Sequence, residues 1–294
     1  MVIKRRNLFQ PDNNVVRYKK SKVQMKRTSK NNHGILHPRN VVITGGSRGL
    51  GKSLARAFLK QGDTVFLMSR NIHVLRETAF ELEKYAPPEK IHYMPGDISK
   101  IQHCESVKEE ALNAMGTIDI WINNAGTNGF VTKPFDSFDV DEMNAVIQTN
   151  IYGTIYGSKV MLDVMNEQQS GILINVEGAG SNGFPTPNHA LYGMTKQGIT
   201  HFTKTLMYEN IDAPFNICTI SPGMVLTDML LSDESNDNLK HVFNIICEEP
   251  DFIGEFLVNK INNASRHEQI RYLTVWRIVW LCLLSTVRKN RHFE

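Results

Sequence analysis

Val41-Val42-Ile43-Thr44-Gly45-Gly46-Ser47-Arg48-Gly49-Leu50-Gly51-Lys52 runs from an apolar stretch through three spaced glycines into a segment with helical periodicity. Each glycine answers a separate steric demand. Gly45 permits the tight turn that leaves a strand. Gly49 lets backbone come close to a pyrophosphate, and Gly51 lets the new helix pack against the strand it has just left. Ser47, Arg48 and Leu50 fill the loop between them. A helix that starts here presents unpaired N–H groups and the positive end of its dipole to an anion. A glycine-rich turn by itself is weak evidence. Its place after the first strand of a βαβ series makes it a dinucleotide-phosphate turn.

From residue 39 onward, short apolar runs alternate with amphipathic segments, which is the pattern of βαβ units. Strands are expected at 40–44, 64–69, 91–95, 118–123, 171–176 and 215–220, with a weaker one at 270–274 closing the sheet. Helices are expected at about 51–61, 71–85, 100–115, 139–166 and 191–210. Apolar runs without alternation suit strands covered on both faces. The fold class is therefore α/β, a doubly wound parallel sheet of Rossmann type in a single domain. Residues 1–36 form a basic extension, 37–274 the catalytic domain, and 275–294 an apolar and basic appendix.

A chain of 294 residues holds one large domain of this kind and can bury a sizeable core without disulfides. Its net charge of +3 is unevenly spread. Lys4, Arg5, Arg6, Arg17, Lys19, Lys20, Lys22, Lys26, Arg27 and Lys30 face only Asp12 in the first thirty residues, and the remainder is acidic. The domain thus lacks the basic signature of a nucleic-acid binder. The extension suits a solvated tail or an organelle transit peptide, although it is poor in Ser; it lacks the apolar run of a secretory signal. Cys104, Cys218, Cys247 and Cys282 lie far apart, match no metal-binding spacing and read as reduced thiols.

Cofactor choice in such a fold is made after the second strand, where an NAD site places Asp or Glu on the ribose hydroxyls. Here the chain reads Ser69-Arg70, with Arg48 in the glycine loop. Two guanidinium groups can grip a 2′-phosphate through charge-assisted bonds, and no carboxylate repels it. The expected cofactor is NADP(H), with no metal.

Five further pieces occur in order: Asp97-Ile98, Asn123-Asn124-Ala125-Gly126, Asn150 in Thr-Asn-Ile-Tyr-Gly, Tyr192-Gly-Met-Thr-Lys196, and Pro222-Gly223. Together with the glycine turn they resemble the short-chain dehydrogenase/reductase superfamily over roughly residues 38–230. The resemblance implies roles. Tyr192 donates a proton to a carbonyl oxygen as hydride arrives from the nicotinamide, and Lys196 holds the nicotinamide ribose. Asn150 anchors a water in the proton relay. Asp97 meets the adenine, Asn123 to Gly126 form the turn that stabilises the central strand beside the adenosine, with Asn124, Ala125 and Gly126 on the cofactor, and Pro222, Gly223 and Thr227 meet the carboxamide. Tyr192 and Lys196 are one helical turn apart and share a face. An ammonium beside the phenol is expected to lower its pKa from the usual 10 or so towards neutrality.

One piece departs from the pattern. The superfamily's catalytic serine falls on Gly178 or Ala179 within Glu177-Gly-Ala-Gly-Ser-Asn-Gly183. Ser181 is the nearest hydroxyl and is the expected substitute; the alternative is that Tyr192 binds the oxygen alone. Glu177, an unusual acid here, could touch substrate. The departure resembles the chlorophyll b reductases, as do Ser221-Pro-Gly-Met-Val-Leu-Thr-Asp228, Phe243-Asn-Ile-Ile-Cys-Glu-Glu-Pro250 and the Tyr-Leu-Thr…Arg run at 272–277. That likeness implies NADPH-dependent reduction of the C7 formyl group of chlorophyll(ide) b. Reduction of another hydrophobic aldehyde or ketone, or a non-catalytic NADP(H)-binding role, stands as the alternative. A chloroplast location follows for a plastid relative, and a cytoplasmic one otherwise. The family habit of pairing through long helices implies a homo-oligomer. The apolar run 278–284, which holds Trp280, follows Trp276 and Arg277 and precedes Arg288, Lys289 and Arg291; it suits a core helix, a dimer contact or a peripheral membrane contact.

Overall fold

The computed structural model describes residues 37–129, 133–231, 244–264 and 266–285, so the basic extension and the last basic cluster lie outside the described residues. The strands are β1 (Asn40–Thr44), β2 (Thr64–Ser69), β3 (Ile91–Pro95), β4 (Ile120–Asn123), β5 (Ile172–Val176), β6 (Asn216–Ser221), β7 (Met224–Val225), β8 (Cys247–Glu248) and β9 (Gln269–Arg271). Seven of them form one sheet in the order β3-β2-β1-β4-β5-β6-β9, and every neighbouring pair is parallel. β7 and β8 pair in parallel as a separate two-stranded sheet. The helices are α1 (Gly49–Lys60), α2 (Ile72–Leu82), α3 (Ile101–Met115), α4 (Val140–Ile147), α5 (Gly153–Gln168), α6 (Ala190–Glu209), α7 (Asp228–Leu231), α8 (Pro250–Asn262) and α9 (Val275–Ser285).

Successive strand residues point to opposite faces, and both faces are covered. Val41 and Ile43 of β1 join Leu54 and Phe58 of α1, Leu75 of α2 and Leu257 of α8 in one fully buried layer. Val42, Trp121 and Leu173 join Val107 of α3 and Met161 and Met165 of α5 in the other. Truncating one of the Leu, Ile or Met side chains to Ala should cost about 2–5 kcal/mol, and Phe58 or Trp121 about 3–5 kcal/mol, the sum of lost transfer energy and a residual cavity. The sheet order reverses between β1 and β4. That leaves a crevice outside their carboxyl ends, the place where such folds bind ligands.

The expected strands and helices are present; the short β7, β8 and α7 are additional, and three further differences bear on the core and site. The last strand is shorter, at 269–271, and pairs with β6. The helix expected over 139–166 is two helices separated by a π-turn at Gln148–Tyr152, because Asn150 is drawn inward to bond Thr127 rather than left in the regular ladder. α8 was not foreseen. Pro250 at its first turn and the buried Ile253, Leu257, Val258 and Ile261 carry its signature, and it packs on α1.

Candidate active site

The glycine turn is built by close approach. Gly45 takes φ +65° and Gly49 φ +52°, conformations that L side chains rarely adopt. A Cβ on Gly51 would run into the Gly45 carbonyl oxygen, so the start of α1 sits directly on the turn. Arg48 at the N-cap of α1 makes no side-chain cap, whereas Asn71 at the N-cap of α2 accepts from the backbone N–H of His73 and Val74. The first turn of α1 also carries no acid. An uncapped helix start without a carboxylate suits a phosphate. A Cβ on Gly49 would lie 3.1 Å from Thr227, so the loop after β6 reaches over this turn.

Ser69 and Arg70 end β2 beside it. The Ser69 hydroxyl is buried and has no hydrogen-bond partner, which leaves a polar atom for a ligand where cofactor selection occurs. Burial works against ionisation of Asp97, but hydrogen bonds from Ser99 and the charges of Arg70 and Lys100 hold its carboxyl below the usual range. Arg70 and Asp97 therefore share one electrostatic neighbourhood. Ile98 packs against Gly153, where a Cβ would stand 2.7 Å from its side chain.

The turn after β4 is tied to β1. Asn124 Nδ2 donates to the Thr44 and Gly45 carbonyls at 2.9 and 3.2 Å. The backbone N–H groups of Asn124 and Ala125 donate to Thr44 Oγ1. Asn123 is buried and bonded to Trp121, Ser158 and Asn175, and so joins β4 to β5 and α5. Asn150 is wholly buried; its Nδ2 donates to the Thr127 carbonyl at 2.8 Å and to Thr195 Oγ1 at 3.0 Å, and its Oδ1 accepts from Thr127 N–H. Its side chain thereby binds the β4 turn to α6.

α6 brings Tyr192 and Lys196 to the same end of the sheet. Lys196 is 4% exposed, and its Nζ donates to the Val176 carbonyl at 3.1 Å and lies 5.7 Å from the Tyr192 ring centroid. A Cβ on Gly126 would be 3.5 Å from Nζ. Desolvation pulls the ammonium down from its ordinary 10.5 to about 8, against the opposing charge of Glu177. Desolvation also pushes the Tyr192 hydroxyl up to about 12. This corrects the expectation that Lys196 lowers the phenol: Nζ is turned to a carbonyl, and loss of water outweighs its charge.

Gly178 sits against the pair, where a Cβ would be 2.5 Å from the Tyr192 hydroxyl. Ser181, the expected substitute hydroxyl, is 8% exposed and engaged with backbone. Its Oγ accepts from Gly178 N–H at 3.0 Å and donates to the Lys196 carbonyl at 3.3 Å. It binds the glycine loop to α6. Glu177, the unusual acid that could touch substrate, is 3% exposed and bonded to Gln269 and Thr200. Gly178 was singled out from sequence as the slot of the displaced serine; Thr195, Thr200 and Gln269 were not, and no local signal marked them. After β6, Pro222 is buried, Gly223 takes φ +76°, and Thr227 completes the rim over the glycine turn.

The parallel doubly wound sheet, the phosphate-suited turn and the Tyr–Lys pair beside it define a dinucleotide-type oxidoreductase site. The chain belongs to the short-chain dehydrogenase family, whose model matches residues 39–238. It is 38% identical over 275 residues to a probable chlorophyll(ide) b reductase, chloroplastic, of Arabidopsis thaliana, covering 87% of this chain and 55% of that one. A chlorophyll(ide) b reductase, chloroplastic, of Oryza sativa subsp. japonica is 34% identical over 246 residues, covering 81% of this chain and 72% of the other. The chain thus spans about half the length of the first relative. Among solved structures, a 3-ketoacyl-(acyl-carrier-protein) reductase from Brucella melitensis complexed with NADH matches with TM-score 0.71 at 22% identity, over 80% of this chain and 96% of that one. The fold is that of these reductases.

Proposed function

We propose that this protein is an NADP(H)-dependent carbonyl reductase that acts on the C7 formyl group of chlorophyll(ide) b. The observation that carries the reading is the meeting of Tyr192, Lys196 and Gly178 beside the Gly45–Gly51 turn, in a chain similar along most of its length to proteins of that name. The uncapped start of α1 would hold the pyrophosphate. The orphaned Ser69 hydroxyl with Arg70 and Arg48 would hold a 2′-phosphate. Asp97, Ile98, Asn124, Ala125 and Gly126 would line the adenosine side, and Pro222, Gly223 and Thr227 the nicotinamide side.

When bound, the reduced nicotinamide supplies a hydride. The chain's own residues manage the proton. Tyr192, protonated far above neutral pH, donates from its hydroxyl to the carbonyl oxygen as negative charge develops there. Lys196, charged below about pH 8, stabilises the phenolate that remains. The Ser181 hydroxyl is engaged with the Gly178 N–H and the Lys196 carbonyl, which favours Tyr192 as the hydroxyl donor to the carbonyl oxygen. Asn150 keeps the β4 turn and α6 in register and supports a proton relay.

No helix among the described residues is long and apolar enough to cross a membrane. α9 nonetheless exposes Val275, Trp276, Val279 and Trp280. Its inner side is tied down by Arg277, which stacks on Tyr272 at 3.8 Å and donates to its hydroxyl. From Ile270 to Phe293 the sequence holds five cations and no acid. This helix suits a peripheral contact with an anionic lipid surface, where a greasy pigment would be met, and a chloroplast location accompanies the pigment reading. A homo-oligomer through α5 and α6 accompanies the family reading; Tyr152 and Ile155 are exposed there.

The test is NADPH oxidation with purified protein, offering chlorophyllide b beside simple aldehydes and ketones. Loss of the chlorophyllide b spectrum in step with NADPH, absent in Tyr192→Phe, is expected. Turnover of another carbonyl alone would remove the pigment and leave the reductase. Tight NADPH binding without any turnover would favour a non-catalytic role.

A further inference from the structure

Glu177 stands at the end of β5, where the family resemblance leads one to expect no acid. It is 3% exposed. A carboxylate buried to this degree costs several kcal/mol unless hydrogen bonds and an opposite charge offset the lost water. The hydrogen bonds come from two distant elements. Gln269 Nε2, on β9, donates to Oε1 at 2.6 Å, and Thr200 Oγ1, on α6, lies 3.5 Å from the same oxygen. Among the described residues no ion pair forms at Glu177; the positive charge coupled to it is that of Lys196, reached through Thr200 and the Val176 backbone. Thr200 Oγ1 also donates to the Lys196 carbonyl at 3.0 Å, and the residue preceding Glu177, Val176, accepts the Lys196 ammonium.

We infer that Glu177 is a positioning residue for Lys196: its carboxylate, clamped between β9 and α6, keeps the buried ammonium charged and turned to the Val176 carbonyl. The inference rests on the Tyr192–Lys196 chemistry proposed above only for its effect on turnover. The charged and titratable groups that face this lysine are few. Tyr192 lies on its own helix, with His189 edge-on to that ring at 6.2 Å, and Glu177 supplies the opposing charge. The turn after β4 contributes uncharged Gly126, the π-turn at 148–152 contributes Asn150, and β9 contributes the neutral Gln269. Burial alone would release the proton from Lys196 at lower pH; Glu177 resists that loss. The acid therefore performs electrostatically what a solvated site would obtain from water.

The experiment is an NMR titration of the cofactor-free protein carrying 13C-labelled lysine, with Lys196 assigned by its missing signal in Lys196→Met. Glu177→Gln keeps an amide able to bond Gln269 and removes the charge. Its Lys196 midpoint should fall by roughly one pH unit, and Glu177→Asp should recover most of that. A folded Glu177→Gln with an unchanged midpoint would overturn the inference. Should Glu177→Gln not fold, Gln269→Ala, which releases the clamp, must lower the midpoint, and no change there overturns the inference equally. The alkaline limb of NADPH oxidation should move with the midpoint. A moved midpoint in an enzyme that reduces no carbonyl would uphold the positioning role and sink the proposed reaction instead.

Discussion

The hydroxyl of Tyr192 fills the space that a side chain on Gly178 would need, with only 2.5 Å between that oxygen and an ideal Cβ. Gly178 is also one of the two positions where the superfamily carries its serine. Restoring the family residue should therefore harm the enzyme. Gly178→Ser and Gly178→Ala are expected to lose about 10²-fold in kcat, since a displacement of about 1 Å at a reacting group costs that much. Near-normal melting temperature and cofactor binding should accompany the loss. A serine variant that matches the parent in turnover would show that Tyr192 does not need this position.

Ser69 and Arg70 should decide between nicotinamide cofactors. Ser69→Asp places a carboxylate where the buried hydroxyl now has no partner and sets it against a 2′-phosphate. Losing one or two charge-assisted bonds corresponds to roughly 10- to 100-fold in kcat/KM for NADPH, with a gain for NADH. Steady-state kinetics with both cofactors would read this, and an unaltered ratio would move the selection elsewhere.

The buried lysine gives stability a pH dependence of definite sign. Lys196 binds its proton less tightly folded, at about 8, than at its ordinary 10.5. Between those values the unfolded chain holds more protons, so this residue's contribution makes stability rise with pH across the window, by on the order of 3 kcal/mol. Tyr192 acts oppositely. Its folded value of about 12 exceeds the ordinary 10.0, so stability falls as pH rises between them. Denaturant unfolding at pH 7.5 and 9.5 should show the parent gaining relative to Lys196→Met. Equal gains in both proteins would contradict the burial argument.

α9 should carry contact with lipid. Trp276, 83% exposed, and Trp280, 55% exposed, lie on its outer side. Replacing both by Ser should cut co-sedimentation with anionic vesicles at least threefold, as expected when two interfacial anchors are removed. Turnover of a water-soluble aldehyde should be unaffected. Binding that survives the double change, or that is indifferent to vesicle charge, would assign the helix to another partner.

Much of the site could be read in advance because its chemistry is local. The glycine turn needs three glycines within seven residues, and an i,i+4 pair shares a helix face whatever surrounds it. Apolar runs marked the buried strands for the same reason. The helix Pro250–Asn262 carried a legible pattern, whereas the π-turn at 148–152 did not, since it depends on Asn150 finding Thr127 across the site. Spacing alone pointed to Ser181 as the nearest hydroxyl, but its bonds to the Gly178 N–H and the Lys196 carbonyl depend on the fold of the loop.

The sequence by itself determined the class of fold, the glycine turn between the first strand and helix, and the placing of Tyr192 and Lys196 on one helix face, because each follows from periodicity or from neighbours within one turn or loop. Only the tertiary structure decided how those groups ionise and what supports them. Tyr192 and Lys196 lose water through packing, and Glu177 meets Gln269 across 92 residues of chain. Desolvation and long-range pairing depend on which surfaces the folded chain brings together, and no local stretch encodes that.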